Sequence, residues 1–230
     1  MRRTLSLLVA VGIAVSLLAL AGPAGAQTGD LAAFCADRIA ANNAEGKAAN
    51  LAIMNEMVAV APAAALAPMT ALRDAYQKKG EKLFDGPDGF ALLTPVDAWI
   101  YDSCPGTQIP VTAIDYEYEG MPAALAAGVS KFKLTNAAPK EDHMLAIAKL
   151  TPEAAGKDVK EILALPEKKQ AKYVDQAEGA FAYATAGQTG YSPAALSPGT
   201  YMYACFLPVG GKKNGAPHFA KGMYGTFTVQ

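Results

Sequence analysis

The chain has 230 residues, with 20 basic against 21 acidic side chains and a formal net charge of −1 at pH 7. This near-neutral balance argues against nucleic acid as a partner, because proteins that bind nucleic acid present a basic face. The chain contains only two histidines, and its sequence offers no recognisable Ser-His-Asp set or acid–base pair. We therefore do not expect an enzyme.

Residues 1–26 have the order of a secretory signal peptide. Arg2-Arg3 forms the positive start, residues 5–21 are apolar, and Ala24-Gly25-Ala26 offers small side chains for cleavage before Gln27. An uncleaved membrane anchor is the alternative, but the apolar run is short of the roughly 20 residues that a spanning helix needs. We expect a secreted, periplasmic or cell-envelope protein whose mature chain does not span a membrane.

Residues 27–108 are predicted to form a small helical domain. Asp30 is suited to cap a first helix, and apolar residues then recur at the spacing of a buried helix face. The break Gly86-Pro87-Asp88-Gly89 precedes the last helix. We predict four short helices packed as a bundle, whose buried faces begin at Leu31, Leu51, Leu66 and Phe90.

The mature chain carries three cysteines, at 35, 104 and 205. Paired thiols of an exported protein tend to oxidise. Cys35 and Cys104 lie in helical sequence at the two ends of the predicted bundle, so we predict a disulfide between its first and last helices. Cys205 is then the unpaired thiol. A metal ligand, an intermolecular disulfide or a simple buried thiol would each account for it.

Residues 109–230 are predicted to form a β-sandwich domain. From Val111 the apolar period changes to two, and one half-buried strand is expected through Ile114, Tyr116 and Tyr118. Residues 151–176 are expected to be a helical insertion. With further strands this predicts an α+β chain whose second part is an antiparallel Greek-key sandwich, with strands at 129–135, 144–150, 181–185, 201–207 and 224–229.

Both histidines, the unpaired cysteine and a methionine follow one another as His143, Cys205, His218 and Met223. Alternation along the strand before Cys205 places its thiol on the same side as two tyrosines, which is the inward side. Four residues separate His218 from Met223, and Gly222 suits a tight turn there. A thiolate, two imidazoles and a weak thioether suit copper in both of its oxidation states.

These segments resemble the cupredoxin family, the fold of plastocyanin and azurin. Residues 198–205 are similar to the strand that carries the cysteine ligand, and residues 218–223 are similar to the loop with the second histidine and the methionine. Residues 132–136, ending in Asn136 and followed by His143, resemble the segment that presents the first histidine. The resemblance covers about residues 111–230. It implies one type 1 copper ion and one-electron transfer with an unidentified redox partner protein.

The chain departs from the familiar family pattern between Cys205 and His218. Twelve residues, 206–217, separate the two positions, where familiar cupredoxins have only a few. Asn214-Gly215 favours a tight hairpin turn, which would close the excursion and return His218 to the thiol. Two alternatives stay open: a metal-free cupredoxin-fold module for binding or structure, and a carrier that delivers copper to an exchange partner.

Overall fold

The computed structural model describes residues 29–230, so the predicted signal peptide lies outside the described residues. The first part is the predicted four-helix bundle. Asp30 accepts a hydrogen bond from the Ala33 N–H and caps the first helix, as predicted. The helices are α1 (Leu31–Ala40), α2 (Gly46–Val60), α3 (Ala63–Lys79) and α4 (Pro87–Ser103), with 3-10 turns at Ala41–Asn43 and Gly80–Phe84. No helix within residues 29–230 is long and apolar enough to cross a membrane.

Two links tie α1 to α4. The predicted Cys35–Cys104 disulfide is confirmed. One turn along α1, Arg38 donates two hydrogen bonds, of 2.6 and 2.7 Å, to the buried carboxylate of Asp97 on α4. Around these links lies an apolar core, which includes Phe34, Met57, Met69, Leu72, Val96 and Ile100.

The second part is a sandwich of two sheets. Its strands are β1 (Thr107–Ile114), β2 (Glu117–Glu119), β3 (Ala124–Leu125), β4 (Gly128–Asn136), β5 (His143–Leu150), β6 (Val174–Ala184), β7 (Thr189–Leu196), β8 (Gly199–Ala204) and β9 (Tyr224–Val229). One sheet has the order β2-β1-β4-β7, and the other has the order β3-β9-β8-β5-β6. Apolar side chains from both sheets meet in a shared core that contains Cys205.

The prediction of a purely antiparallel sandwich is wrong, because the sheets are mixed. Strand β1 pairs with β4 in parallel, and β3 pairs with β9 in parallel. Between β1 and β4 the chain crosses to the other sheet through β3, and this crossover lets β4 run in the same direction as β1. Alternating polarity predicts which face of a strand is buried, but it carries no information on strand direction.

The prediction of a single continuous strand through Ile114, Tyr116 and Tyr118 is also wrong. Asp115 has a positive φ of 49°, and the chain reverses there to pair β1 with β2 as a hairpin. Aspartate tolerates this left-handed conformation better than most residues. The buried face of β1 consists of Ile109, Val111 and Ala113, whereas Ile114 is 38% exposed. The predicted alternation from Ile114 to Tyr116 and Tyr118 is therefore interrupted at the turn.

The helical insertion is shorter and more broken than expected for residues 151–176. It consists of a 3-10 turn at Pro152–Ala154, α5 (Val159–Leu163) and α6 (Glu167–Gln170), after which β6 begins at Val174. Its apolar residues pack against Met202 and Ala204 on the outer face of β8. Strand β8 is therefore covered on both faces, which fixes the strand that leads to Cys205.

The bundle packs against the sandwich through specific contacts. The buried amine of Lys131 on β4 donates hydrogen bonds to the carbonyls of Tyr101 and Cys104 at the end of α4. A cation is favourable at that end of a helix. Phe90 on α4 stacks on Tyr183 of β6 with 4.8 Å between ring centroids. The division into two domains at residues 108 and 109 stays a prediction.

The disulfide generates a testable expectation. Replacing both Cys35 and Cys104 by alanine should lower the free energy of unfolding by about 2–4 kcal/mol, because a cross-link closing a long loop restricts the unfolded chain. The two cysteines are 69 positions apart in sequence. Urea unfolding followed by circular dichroism would measure the loss. Reduced wild-type protein should lose a similar amount, and an unchanged midpoint in both samples would contradict the expectation.

Candidate metal centre

The four predicted metal ligands lie at one end of the same sheet. Strand β5 begins at His143, whereas its antiparallel neighbour β8 ends just before Cys205. Strand β9 begins just after Met223 and pairs with β8 in antiparallel fashion, with Tyr224 opposite Ala204. The starts of β5 and β9 and the end of β8 therefore coincide in space. His218 lies in the connection from β8 to β9.

Three of these residues form a compact cluster. His143, Cys205 and His218 are each 0% exposed. The Cys205 sulphur lies 3.4 Å from His218 Nδ1 and 4.0 Å from His143 Nδ1, and the two nitrogens are 3.2 Å apart. The point equidistant from these three atoms is about 2.1 Å from each, which is close to the 2.0–2.3 Å of bonds from zinc to nitrogen and sulphur. The cluster can hold a metal ion.

The surroundings keep the two imidazoles neutral. Burial, and then the charge of His218, lowers the pKa of His143 from 6.5 to about 4. Burial also lowers the pKa of His218, against the opposing effect of Glu141. A metal binds neutral imidazole, so lowered histidine pKa values keep the ring nitrogens available at neutral pH.

The thiol of Cys205 is held within reach of backbone donors. Burial raises its pKa, while hydrogen bonds from the backbone of Met144 and Leu207 oppose that rise. The Met144 N–H donates to the sulphur over 3.5 Å. These donors would stabilise a thiolate, which is the form of cysteine that binds metals.

The long excursion between Cys205 and His218 closes on itself, as the sequence predicts. Pro208 and Pro217 form a bridge, and the His218 N–H donates to the Leu207 carbonyl over 2.9 Å. The turn at its tip is closed by the Gly215 N–H donating to Lys212. The turn therefore comprises residues 212–215, with Asn214 and Gly215 as its third and fourth residues. The Asn-Gly motif instead predicts that these two residues occupy the two central positions of the turn. Closure of the two flanks is what returns His218 to the thiol.

Asn136 positions the loop that leads to His143. Its side chain is buried and donates to the carbonyls of Glu141 and Ala184 over 2.8 and 3.0 Å. Its side-chain oxygen accepts from the Ala138 N–H over 2.9 Å. The asparagine at the end of β4 therefore fixes both ends of the short loop before His143.

Met223 is fully buried in the same core as Cys205. Its carbonyl accepts from the Cys205 N–H over 3.0 Å, and its own N–H donates to the His218 carbonyl over 3.2 Å. Gly222 has a φ of 118°, a conformation that favours glycine and permits the turn into β9. The backbone of Met223 thus joins two of the cluster residues, while the role of its sulphur as a ligand stays a prediction.

Three residues around the cluster were not predicted as part of the site. The ring of Tyr116 packs edge-on against His218, with centroids 5.0 Å apart, and the Tyr118 hydroxyl donates to the Met144 carbonyl. Glu141 Oε2 lies 3.6 Å from His218 Nε2. The sequence predicts the two tyrosines only as half-buried strand residues. Nothing in the sequence distinguishes Glu141 apart from its position two residues before His143.

The two facing sheets form a sandwich, as the sequence predicts, and the His-Cys-His cluster lies at one end of it. No protein-family model and no curated protein matches the sequence.

Solved structures resemble this chain at low identity. Na-dithionite-reduced auracyanin from the photosynthetic bacterium Roseiflexus castenholzii is 22% identical, with 54% of this chain and 98% of that chain covered and a TM-score of 0.36. Azurin from the obligate methylotroph Methylomonas sp. strain J is 18% identical, with 55% and 99% covered and a TM-score of 0.33. A multicopper oxidase is 16% identical, with 56% and 46% covered and a TM-score of 0.33. These likenesses assign no function to this chain.

The lowered pKa of His143 predicts a pH dependence of the metal-free protein. Between about pH 4 and pH 6.5 the unfolded chain binds a proton at this position that the folded chain does not. The free energy of unfolding should therefore decrease as the pH falls through this range. NMR titration of the ring signals would show the low pKa directly, and His143→Gln should make the pH dependence shallower. A His143 ring that titrates near 6.5 would refute the prediction.

Proposed function

We propose that this chain is an exported protein that binds one type 1 copper ion and transfers single electrons. His143, Cys205 and His218 are the strong ligands, and Met223 is a weak axial ligand. The observation that carries the proposal is the buried triangle of two imidazole nitrogens and one sulphur, whose sides measure 3.2–4.0 Å.

The donor set favours copper over zinc. Structural zinc sites are tetrahedral, with four cysteine or histidine ligands. Among residues 29–230 the cluster offers one thiol and two imidazoles without a fourth such ligand. Two histidines and one cysteine with a distant methionine are typical of a copper site for electron transfer. Glu141 does not complete a zinc site, since it faces Nε2 of His218, away from the nitrogen that faces the sulphur.

The surrounding chain is suited to an electron carrier. A bound copper ion supplies a reversible one-electron couple. The protein's contribution is to bury the ligands, exclude water and hold them in one arrangement. Two ligands lie at the ends of adjacent strands, and β8 is covered on both faces. This rigid support keeps the ligands in place when the charge of the site changes.

Export is the second part of the proposal. The Cys35–Cys104 disulfide supports it, because disulfides persist mainly in oxidising compartments. The composition of residues 1–26 supports it independently. We place the mature protein in the periplasm, the cell envelope or the medium, where a redox partner protein would exchange electrons with it.

The proposal predicts a blue protein. One equivalent of copper(II) added to the purified mature protein should produce an intense visible band, and Cys205→Ala should abolish it by removing the thiolate. The Cys35→Ala, Cys104→Ala double variant is the control, since it removes the other two cysteines and should stay blue. A colourless wild type with a normally titrating thiol would favour the metal-free module. Binding of copper(I) alone, with fast transfer to an acceptor, would favour the carrier.

The proposed axial role of Met223 is testable by its effect on the reduction potential. Met223→Leu should keep the blue band but raise the potential, because loss of the thioether donor disfavours copper(II) more than copper(I). Met202→Leu is a matched control, since Met202 is buried on the other face of β8. Redox titration would measure both variants. Equal potentials in Met223→Leu and wild type would remove Met223 from the ligand set.

A further inference from the structure

We propose that Glu141 is a positioning residue of the metal centre, which latches the loop 206–217 closed over His218 and orients the His218 ring. The predicted effect of Glu141 on copper binding rests on the proposed function. The predicted effect of Glu141 on the loop 206–217 does not, because it concerns the metal-free protein as well. The two effects can therefore be tested separately.

The first contact of the Glu141 carboxylate is with the long loop. The Gly210 N–H donates to both carboxylate oxygens, over 2.9 and 3.0 Å. Gly210 has a φ of 67°, a conformation that favours glycine. Gly210 lies near the middle of the loop 206–217. The Glu141 side chain therefore anchors the loop at a point distant from both of its ends.

The second contact is with His218. Its Nδ1 faces the Cys205 sulphur at 3.4 Å, and its Nε2 faces Glu141 Oε2 at 3.6 Å. Within residues 29–230, His218 Nε2 is buried and has no hydrogen-bond partner. If Nδ1 binds the metal, the ring proton must lie on Nε2. The Glu141 carboxylate, 3.6 Å away, attracts that N–H and so favours this tautomer and ring orientation. Metal-bound histidines commonly have such a group beside their other N–H.

Glu141 is itself held in place by the segment that carries the first histidine. The Asn136 side chain donates to the Glu141 carbonyl over 2.8 Å, and His143 follows two residues later. The backbone of Glu141 is thus fixed beside one histidine while its side chain contacts the other. A long flexible loop loses entropy on closing, and this contact offsets part of that loss at the point where His218 must be placed.

The loop effect is tested in the metal-free protein by limited trypsin digestion. Lys212 and Lys213 lie exposed at the loop tip. Glu141→Ala should be cut there about tenfold faster than wild type, because loss of the bonds to Gly210 raises the open population. Glu141→Gln keeps an oxygen acceptor and should be cut at nearly the wild-type rate. Glu119→Gln, on exposed strand β2, controls for loss of one negative charge.

The ring effect is tested by copper(II) affinity, measured by competition with a chelator. Affinity should fall by about 10–100-fold in Glu141→Ala, the usual cost of removing such a partner. The loss should be smaller in Glu141→Gln and absent in Glu119→Gln. NMR of the metal-free protein should show the Nε2-protonated tautomer of His218 in wild type and a mixture in Glu141→Ala.

The outcomes separate the two proposals. If wild type binds no copper, the proposed function fails, while faster cleavage and the tautomer change in Glu141→Ala would still support the latch. If wild type binds copper and Glu141→Ala matches it in cleavage and affinity, the latch is overturned. Faster cleavage with unchanged affinity and tautomer would overturn the positioning of His218.

Discussion

The structure depends on the burial of three polar ligand atoms at one point. A buried donor or acceptor left without a partner costs about 1–3 kcal/mol, and close-packed apolar side chains would avoid that cost. Here two imidazole nitrogens and a sulphur face one another inside the protein. The Asn136 bonds, the two-sided cover of β8 and the closed loop all keep them there. In the metal-free protein these atoms can partner one another and the Met144 N–H, and a metal ion bound between them would replace the contacts among the three.

The scaffold brings these atoms together through strand order. Because β5 and β9 flank β8 in antiparallel pairs, ligands distant in sequence share one end of the sheet. The helical insertion then seals the outer face of β8. The bundle packs on the other sheet through contacts such as Lys131 with the end of α4. The helical insertion thus restrains β8, which leads to Cys205, and the bundle restrains β4 in the facing sheet.

The sequence predicts the His143, Cys205 and His218 cluster better than it predicts the strand topology. The cluster, the Cys35–Cys104 pair and the Asp30 cap depend on local chemistry or on scarce residue types, so they are visible in a linear sequence. The parallel β1–β4 pair and the reversal at Asp115 depend on long-range contacts and on one backbone angle. Glu141 was missed for a related reason. An acidic residue in a charged stretch is ordinary until the fold places it beside His218.

The closed loop bears on the choice between electron transfer and copper delivery. A carrier must release its ion, and here release would require opening the excursion. That means breaking the Gly210 bonds to Glu141 and the bridge between Pro208 and Pro217. Transfer of an electron requires no such opening, because ligands held by paired strands can stay in place. A cluster whose two histidines and cysteine are all 0% exposed is therefore better suited to retaining a bound metal ion than to exchanging one.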